Sequence, residues 1–428
     1  MRFLTPLAAL AMTTAAHATD IEFWYGNTGS NEKAILAACE AFNASQDQDR
    51  VSCVGQGSYE AGMQKAIAAY RAGNHPVLIQ FFDAGTLDLM LSGAVIPVSE
   101  VMPDAPWDSY IPGARAYYET ADGKLFSQPY NSSTLLFYTN KAMLAEAGIE
   151  KTPETWEEVI AAARTLKEAG VSCPFATDIN AWRQIEQFAA RHGVPIATQS
   201  NGYDGLDAEY VIDQGIVAQH MNNLADWHEE GLVRFDAETK AAKYNAAFSA
   251  GECAMIEGSS GGYGSFAEAL GADAITVTLP PMYQGQTRHN TFVGGASLWL
   301  MKGHDEAEVK AAQNFLDYLR TPEAQLEFTA ATGYLPVTQS ALDLLESSGR
   351  ADAPEFATAG PGMETLGAPG NADTRGIRLG FYVQFRDIFA EETQRAYNGD
   401  ITMDEALANS VRRGNELLRR FEATYAAN

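Results

Sequence analysis

Basic residues are scarce in this chain of 428 residues, which has 29 lysines and arginines against 55 aspartates and glutamates. The formal net charge of −26 would repel a polyphosphate backbone, so nucleic acid is not expected as a partner. The same charge would slow the approach of an anionic ligand. Any anion-binding site in this protein must therefore be locally basic.

Histidine and cysteine are scarce as well. The seven histidines include no pair four residues apart, and the four cysteines match no zinc-ligand spacing. We therefore expect neither a metal ion nor a cofactor.

Long hydrophobic runs are also missing, because none approaches the roughly 20 residues that a membrane-spanning helix needs. The chain begins instead with Arg2, the apolar run Phe3–Met12 and the sequence Ala16-His17-Ala18. This pattern is typical of a secretory signal peptide. We expect residues 1–18 to be removed on export and the mature protein to lie in the periplasm.

Four cysteines in an exported protein favour disulfides, and three pairings are possible. Cys39 lies on a predicted helix and Cys53 on the next strand, whereas Cys173 and Cys253 lie on two strands of a later domain. We favour the pairs Cys39–Cys53 and Cys173–Cys253. Four buried thiols are the alternative.

Strands and helices alternate in the first part of the chain. Ile21–Tyr25 and Val77–Phe82 are predicted strands, and Tyr59–Ala72 is a predicted helix. This alternation indicates an α/β domain with a largely parallel sheet, where ligands bind beyond the carboxyl ends of the strands. Asp83 directly follows Val77–Phe82, so it is a candidate site residue.

A second α/β unit follows, and a capping box of Thr155 and Glu158 predicts the start of one of its helices. The mature length requires two domains. The pattern breaks near residues 131, 295 and 334, with a predicted bend at Gly294-Gly295. We expect one lobe over residues 19–130 plus 297–335 and a second over 131–296 plus 336–428. The Ala/Gly/Pro-rich stretch Ala351–Asp373 is predicted to be a surface loop.

The segment Cys253–Gly262 supports two functions of different classes. It is predicted to form a strand, a Ser/Gly turn and the start of the helix Tyr263–Leu270. The backbone N–H groups at such a turn can bind an anion. The same residues contain G-x-S-x-G, the pattern of a hydrolase nucleophile elbow, with Ser260 as the nucleophile of a secreted serine hydrolase. No H-G-G-G-type oxyanion loop precedes Ser260, which argues against the hydrolase.

Several motifs resemble those of one family, the sn-glycerol-3-phosphate-binding periplasmic proteins of ABC importers, in the maltose-binding-protein-like superfamily. The resemblance extends from Ile21 to the C-terminus. The motifs SQPYNSS and GGASLW are fairly specific to this branch, whereas GECAM and GYLPVT are shared with sugar-binding relatives. They begin at residues 127, 294, 251 and 333.

The resemblance implies an α/β fold of the two-lobe periplasmic-binding-protein type (type II, maltose-binding-like), with the ligand in a cleft between the lobes. It also implies hinge closure around the ligand and delivery to the permease subunits of an ABC importer. We expect a monomer that is not an enzyme.

The resemblance further implies a set of ligand-binding residues. Arg386 and Ser259 would hold a phosphate, with Gly295, Ser133 and Tyr334 nearby. Tyr59 and Asp83 would hold the glycerol hydroxyls, and the candidate set is Tyr59, Asp83, Ser133, Ile179, Trp182, Ser259, Ser260, Gly295, Tyr334 and Arg386.

Two positions depart from the glycerol-3-phosphate binders, which have Glu in place of Asp83 and Trp in place of Ile179. Both residues here are smaller, which implies a larger pocket. Trp182 is an aromatic candidate for a cation–π contact with a choline head group. The sequence therefore favours a glycerophosphodiester such as glycerophosphocholine over sn-glycerol 3-phosphate.

Overall fold

The computed structural model describes residues 18–120 and 122–425. The predicted signal peptide over residues 1–18 therefore lies almost entirely outside the described residues. Within these ranges, none of the helices combines the length and hydrophobicity that a membrane crossing requires.

Within the described residues, eleven strands form two mixed sheets. In chain order they are β1 Thr19–Tyr25, β2 Asp49–Gly55, β3 Leu78–Phe82, β4 Val95–Ile96, β5 Gln128–Ser133, β6 Leu135–Asn140, β7 Cys173–Thr177, β8 Val233–Phe235, β9 Cys253–Ser259, β10 Ile275–Thr278 and β11 Gly294–Met301.

The first sheet has the order β2-β1-β3-β11-β4, with β5 also paired to β11. Strands β2, β1 and β3 are parallel, and β11 is antiparallel to its three neighbours. The second sheet has the order β10-β6-β9-β7-β8, in which β7 is parallel to β8 and β9. The chain passes from the first sheet to the second between β5 and β6, and returns between β10 and β11.

The α-helices follow in chain order, and several of them contact each sheet. They are α1 Gly29–Ser45, α2 Tyr59–Ala72, α3 Thr86–Leu91, α4 Val98–Val101, α5 Pro112–Arg115, α6 Lys141–Glu146, α7 Trp156–Glu168, α8 Phe188–Arg191, α9 Thr198–Gly202, α10 Gly215–Glu229, α11 Tyr244–Ser249, α12 Tyr263–Leu270, α13 Glu306–Leu319, α14 Pro322–Thr332, α15 Gln339–Ser347, α16 Ala359–Gly367, α17 Tyr382–Tyr397 and α18 Met403–Tyr425.

Local sequence signals placed several of these elements correctly. Helix α2 has the predicted ends, and α7 begins at the predicted capping box, in which Thr155 and Glu158 each accept a backbone N–H of the other. Both favoured disulfides are present, Cys39–Cys53 and Cys173–Cys253. The second one joins residues directly opposite each other on β7 and β9.

Two segments differ from the prediction. Residues 128–133, expected to interrupt the pattern, form β5, whose six residues are all buried against neighbouring elements. Ala351–Asp373, expected to be a loop, contains α16. The helical period of α16 is not visible in the sequence, because small residues form much of its buried side. One of them is Gly362, which packs so closely on Leu335 that a Cβ added at position 362 would lie 2.4 Å from a Leu335 methyl carbon.

The lobe ranges remain a prediction. The expected boundaries at 131 and 297 fall within β5 and β11, so residues 131–133 and 294–296 pair inside the first sheet. The Gly294-Gly295 bend is at the start of β11, and Gly295 has φ +96°. A Cβ at Gly295 would lie 2.1 Å from the Asn131 carbonyl oxygen, so only glycine permits β11 to lie this close to β5.

We expect the two disulfides to contribute unequally to stability, because the loops that they close differ in length. The cysteines are 14 residues apart in Cys39–Cys53 and 80 apart in Cys173–Cys253. Loop-closure entropy predicts losses of about 3 and about 4.5 kcal/mol on replacing each pair with serines. Urea unfolding of the two double variants measures this difference, and equal losses would contradict it.

Candidate functional site

A cavity of about 240 Å³ lies where elements of the two sheets meet. Its lining residues are Tyr59, Glu60, Phe82, Asp83, Ser133, Asn180, Trp182, Arg183, Ser259, Gly295, Tyr334 and Arg386. The structure thus brings together eight of the ten candidate residues. A wider cavity of about 590 Å³, which includes His75 and His304, is lined only by residues of the first sheet and its flanking segments.

Strand ends place most of these side chains. Asp83 directly follows β3, Ser133 ends β5 and Ser259 ends β9. Ser133 is opposite Gly294 in the β5–β11 pair, and Ser259 is opposite Leu135 in the β6–β9 pair. The crossover from β5 to β6 therefore brings residues of both sheets to one place, consistent with ligand binding beyond strand ends.

The guanidinium of Arg386 lies between two buried carboxylates. Its Nε and Nη2 donate to Oε1 and Oε2 of Glu186 at 2.8 and 2.7 Å, and its Nη1 lies 3.1 Å from Asp83 Oδ1. Burial raises the pKa of both carboxyl groups, and the charge of Arg386 opposes that rise. Burial would lower the pKa of Arg386, but the two carboxylates raise it well above its ordinary value.

A network of amide side chains fixes the two tyrosines. Asn131 Nδ2 donates to the Tyr59 hydroxyl at 2.7 Å, and Asn27 Nδ2 lies 3.2 Å from the Tyr334 hydroxyl. Gln80 Nε2 donates to the side-chain oxygens of Asn27 and Asn131 at 2.7 and 2.9 Å. The phenolic oxygens accept from this network and lie 3.5 Å from each other, so one of the two O–H groups can donate to the other tyrosine while the second remains able to donate to a ligand.

The Ser/Gly turn after β9 differs from the expected backbone anion cradle. Ser260 N donates to the Thr134 carbonyl oxygen at 2.9 Å, and Gly261 N donates to Ser259 Oγ at 3.2 Å. Both N–H groups are thus paired within the protein. The turn contributes the Ser259 hydroxyl to the cavity, whereas Gly261 packs beneath Tyr334, where a Cβ would lie 2.6 Å from the ring.

Trp182 and Ile179 occupy different positions. Trp182 lines the cavity, and its indole packs so closely on Gly294 that a Cβ there would lie 2.4 Å from Nε1. The segment Trp182–Gln187 is a π-helix that continues into α8. Ile179 is half-buried against the main core, and its neighbour Asn180 lines the cavity instead.

The family model described as "Bacterial extracellular solute-binding protein" matches residues 37–358. The chain belongs to this family. It is 36% identical over 435 residues to the sn-glycerol-3-phosphate-binding periplasmic protein UgpB of Yersinia pseudotuberculosis, which covers 97% of this chain and 96% of the relative. UgpB of Brucella abortus is 35% identical over 426 residues, 96% of each chain. These relatives confirm the resemblance inferred from the motifs.

Solved structures confirm the fold of this solute-binding protein. UgpB from Mycobacterium tuberculosis in complex with glycerophosphocholine superposes with a TM-score of 0.76 at 19% identity, covering 94% of this chain and 99% of that one. The GacH receptor of Streptomyces glaucescens gives 0.78 at 17% identity with the same coverage. The protein therefore has the two-lobe, maltose-binding-like fold with a cleft between its lobes.

Ser260 has no catalytic partner among the described residues. It is fully buried, and its hydroxyl has no hydrogen-bond partner there. A triad would require one histidine after Ser260 in the chain. The two that follow it are engaged elsewhere, since the ring of His289 packs on Gly193 and that of His304 lies 3.2 Å from Glu308. Ser260 is thus a packed turn residue of this solute-binding protein and does not line the cavity.

Sequence reasoning missed the residues that support the site. Glu186 lies in a segment where polar and apolar residues are mixed, so no periodic pattern in the sequence predicts that its side chain is buried. The one available signal was the density of polar side chains in a helical segment next to Trp182. The missed residues are Asn27, Glu60, Gln80, Phe82, Asn131, Asn180, Arg183 and Glu186.

Asp88 on α3 connects to the helix that holds Arg386, because its Oδ1 accepts the Phe381 N–H at 3.4 Å just before α17. Burial raises the pKa of Asp88 to about 6. The folded state therefore binds this proton more tightly than the unfolded state, so the contribution of Asp88 to stability decreases as pH rises from about 4 to about 6.

We predict that Asp88→Asn removes this dependence. The free energy of unfolding of the wild type, relative to the variant, should fall by about 2 kcal/mol between pH 4 and pH 7. Urea unfolding across this range measures it, with Asp104→Asn, at an exposed position, as the control. Parallel pH profiles for wild type and Asp88→Asn would show that the buried carboxyl has no such effect.

Proposed function

We propose that this protein is the periplasmic substrate-binding component of an ABC importer that captures glycerol-phosphate compounds and delivers them to the permease. The observation that supports this best is the cavity in which Arg386, Ser259, Ser133 and Tyr59 meet. The chain around it aligns over 97% of its length with a protein named for binding sn-glycerol 3-phosphate. The predicted signal peptide fits export, and we infer that the protein acts as a monomer.

Arg386 would bind the phosphate. A guanidinium has five N–H donors, and the contacts with Glu186 and Asp83 use three of them. One N–H on each terminal nitrogen remains, which suits the two charge-assisted bonds of a phosphate fork. The hydroxyls of Ser133 and Ser259 line the same cavity and can donate to the remaining phosphate oxygens.

The glycerol hydroxyls would lie near Asp83 and Tyr59. The Asp83 carboxylate accepts from the Ala84 N–H at 2.6 Å and from Arg386, and its remaining lone pairs can accept from vicinal hydroxyls. The Tyr59 ring stacks on Phe82 with centroids 5.6 Å apart, which fixes the direction of its hydroxyl. The tyrosine hydroxyl can donate to a glycerol hydroxyl, and the carboxylate can accept from one. This donor and acceptor therefore suit the adjacent hydroxyls of glycerol.

The charges around the cavity favour a glycerophosphodiester, such as glycerophosphocholine, over sn-glycerol 3-phosphate. Of the lining residues, Arg183 pairs with Asp178, and Arg386 pairs with Asp83 and Glu186. With Glu60, this gives two guanidinium groups among four carboxylates, which are those of Glu60, Asp83, Asp178 and Glu186. A phosphate monoester adds up to two negative charges, whereas glycerophosphocholine adds one together with a cationic head group.

The cationic head group would lie toward the acidic rim of the cavity. Glu60 is exposed there, and its negative charge contributes to the raised pKa of both Asp83 and Asp387, so the three carboxyl groups are neighbours. Burial is the larger cause of both shifts. Trp182 adds an aromatic face to the same cavity, and a cation–π contact there would contribute about 0.5–2 kcal/mol.

Arg386→Ala is expected to abolish binding of glycerophosphocholine, glycerophosphoethanolamine and sn-glycerol 3-phosphate alike, since each contains the phosphate that this residue would hold. Calorimetric titration of the three compounds side by side measures the loss, and thermal melting verifies folding. Arg164→Ala is the matched control, because Arg164 forms an exposed ion pair with Glu230. Retained affinity in Arg386→Ala would refute the phosphate assignment.

Ile179→Trp is expected to weaken binding of the diester more than binding of the monoester. The larger side chain would displace Asn180, the next residue along the chain and part of the cavity lining. A diester needs more room than a monoester, so the ratio of the two dissociation constants should shift by about tenfold, or about 1.4 kcal/mol. Equal losses for both ligands would show that position 179 does not set pocket size.

A further inference from the structure

Glu186 lies directly behind Arg386, on the side away from the cavity. Its side chain is fully buried in the π-helix Trp182–Gln187 and does not line the cavity. Both of its carboxylate oxygens accept from Arg386, at 2.8 Å from Nε and 2.7 Å from Nη2. Two parallel bonds of this kind fix a guanidinium in its plane, which a single bond would not do.

This pair determines which edge of the guanidinium is available to a ligand. Glu186 accepts hydrogen bonds from the Nε–Nη2 edge, and Nη1 contacts Asp83. The remaining N–H groups on Nη1 and Nη2 are the ones that the cavity can use. Arg386 is on α17 and Glu186 on the π-helix, so packing between two separate elements fixes the donor position.

Glu186 also changes the charge at this point of the site. Two carboxylates contact one guanidinium, so the group of Arg386, Glu186 and Asp83 has more negative than positive charge when all three are ionised. Charges separated by a few ångströms in a poorly solvated region interact strongly. A second negative charge on a bound phosphate group would therefore weaken binding.

We propose that Glu186 is a positioning residue that orients Arg386 and, through its charge, makes the site prefer a phosphate group with a single negative charge. The proposal rests on the proposed binding of glycerol-phosphate compounds. It predicts discrimination by ionisation state: a diester is singly charged throughout the physiological range, whereas a monoester passes from one to two negative charges around pH 6.

The tyrosine hydroxyls that surround Glu186 do not change charge in that range. Tyr117, Tyr210 and Tyr382 are its neighbours, and burial raises the pKa of each hydroxyl well above its ordinary value. Asp83 contacts the same guanidinium, and burial raises the pKa of its carboxyl. Because Asp83 is unchanged in the wild type and in each variant of the test, differences between these proteins report on Glu186.

The test compares wild type, Glu186→Gln and Glu186→Asp by calorimetric titration with glycerophosphocholine and with sn-glycerol 3-phosphate, from pH 5.5 to pH 8. Glu392→Gln is the matched control, since Glu392 is also buried and pairs with Arg395 on α17 and with Arg413 on α18. Thermal melting of each variant verifies folding.

For wild type and the control, we expect monoester affinity to fall as pH rises, while diester affinity stays nearly constant. In Glu186→Gln the preference for the diester at pH 8 should shrink by about tenfold, and the pH dependence of monoester binding should flatten. Glu186→Asp keeps the negative charge on a shorter side chain. It should therefore weaken the binding of both ligands while retaining the wild-type pH dependence.

A diester preference and pH profile that are the same in Glu186→Gln as in wild type would overturn the proposal, as would equal loss of both ligands without a change in pH profile. If Glu186→Gln does not fold, the Glu186→Asp profile decides alone, since a pH dependence that differs from wild type would contradict the role of charge. Failure of the wild type to bind either compound would instead overturn the proposed function.

Discussion

The contact of Arg386 with Glu186 and Asp83 is the interaction on which the site depends. Taking an ion out of water costs several kcal/mol, and a buried ion is stable only with close partners of opposite charge. Here the three groups come from α17, from the π-helix and from the end of β3. The ion cluster therefore connects three elements that are distant in sequence, and it determines where the cavity has its positive charge.

The cavity is not locally basic, as the composition led us to expect, because its two guanidinium groups lie among four carboxylates. A protein with a net charge of −26 provides an unfavourable field for an anion, so binding must rely on donors placed at short range. Arg386, Ser133 and Ser259 provide such donors inside the cavity. The surrounding carboxylates limit how much negative charge can accumulate there. Under the proposed function, this acidic protein would bind a phosphate group and still discriminate against a more highly charged one.

Most of the fold followed from the sequence, because helix signals are local. The capping residues Thr155 and Glu158 and the periodic apolar residues of α2 specify their elements without tertiary information. The strand β5 did not follow, since its polar residues are buried through hydrogen bonds to other elements, as Asn131 is to Gln80. A sequence pattern records hydrophobicity, and it cannot show that a polar residue has found a buried partner.

The same limit explains the site. Arg386 and Tyr334 were predicted because a resemblance supplied them, and Asp83 was also predicted from its place after a strand. The structure places all three in one cavity. Glu186 has no ligand role of its own to be read from a motif. Its importance follows only from its distance to Arg386, across 200 positions of sequence. The residues that touch a ligand can be inferred by analogy, whereas those that orient them depend on how distant elements pack. The proposed discrimination among glycerol-phosphate compounds therefore depends on the supporting carboxylates as much as on the cavity lining.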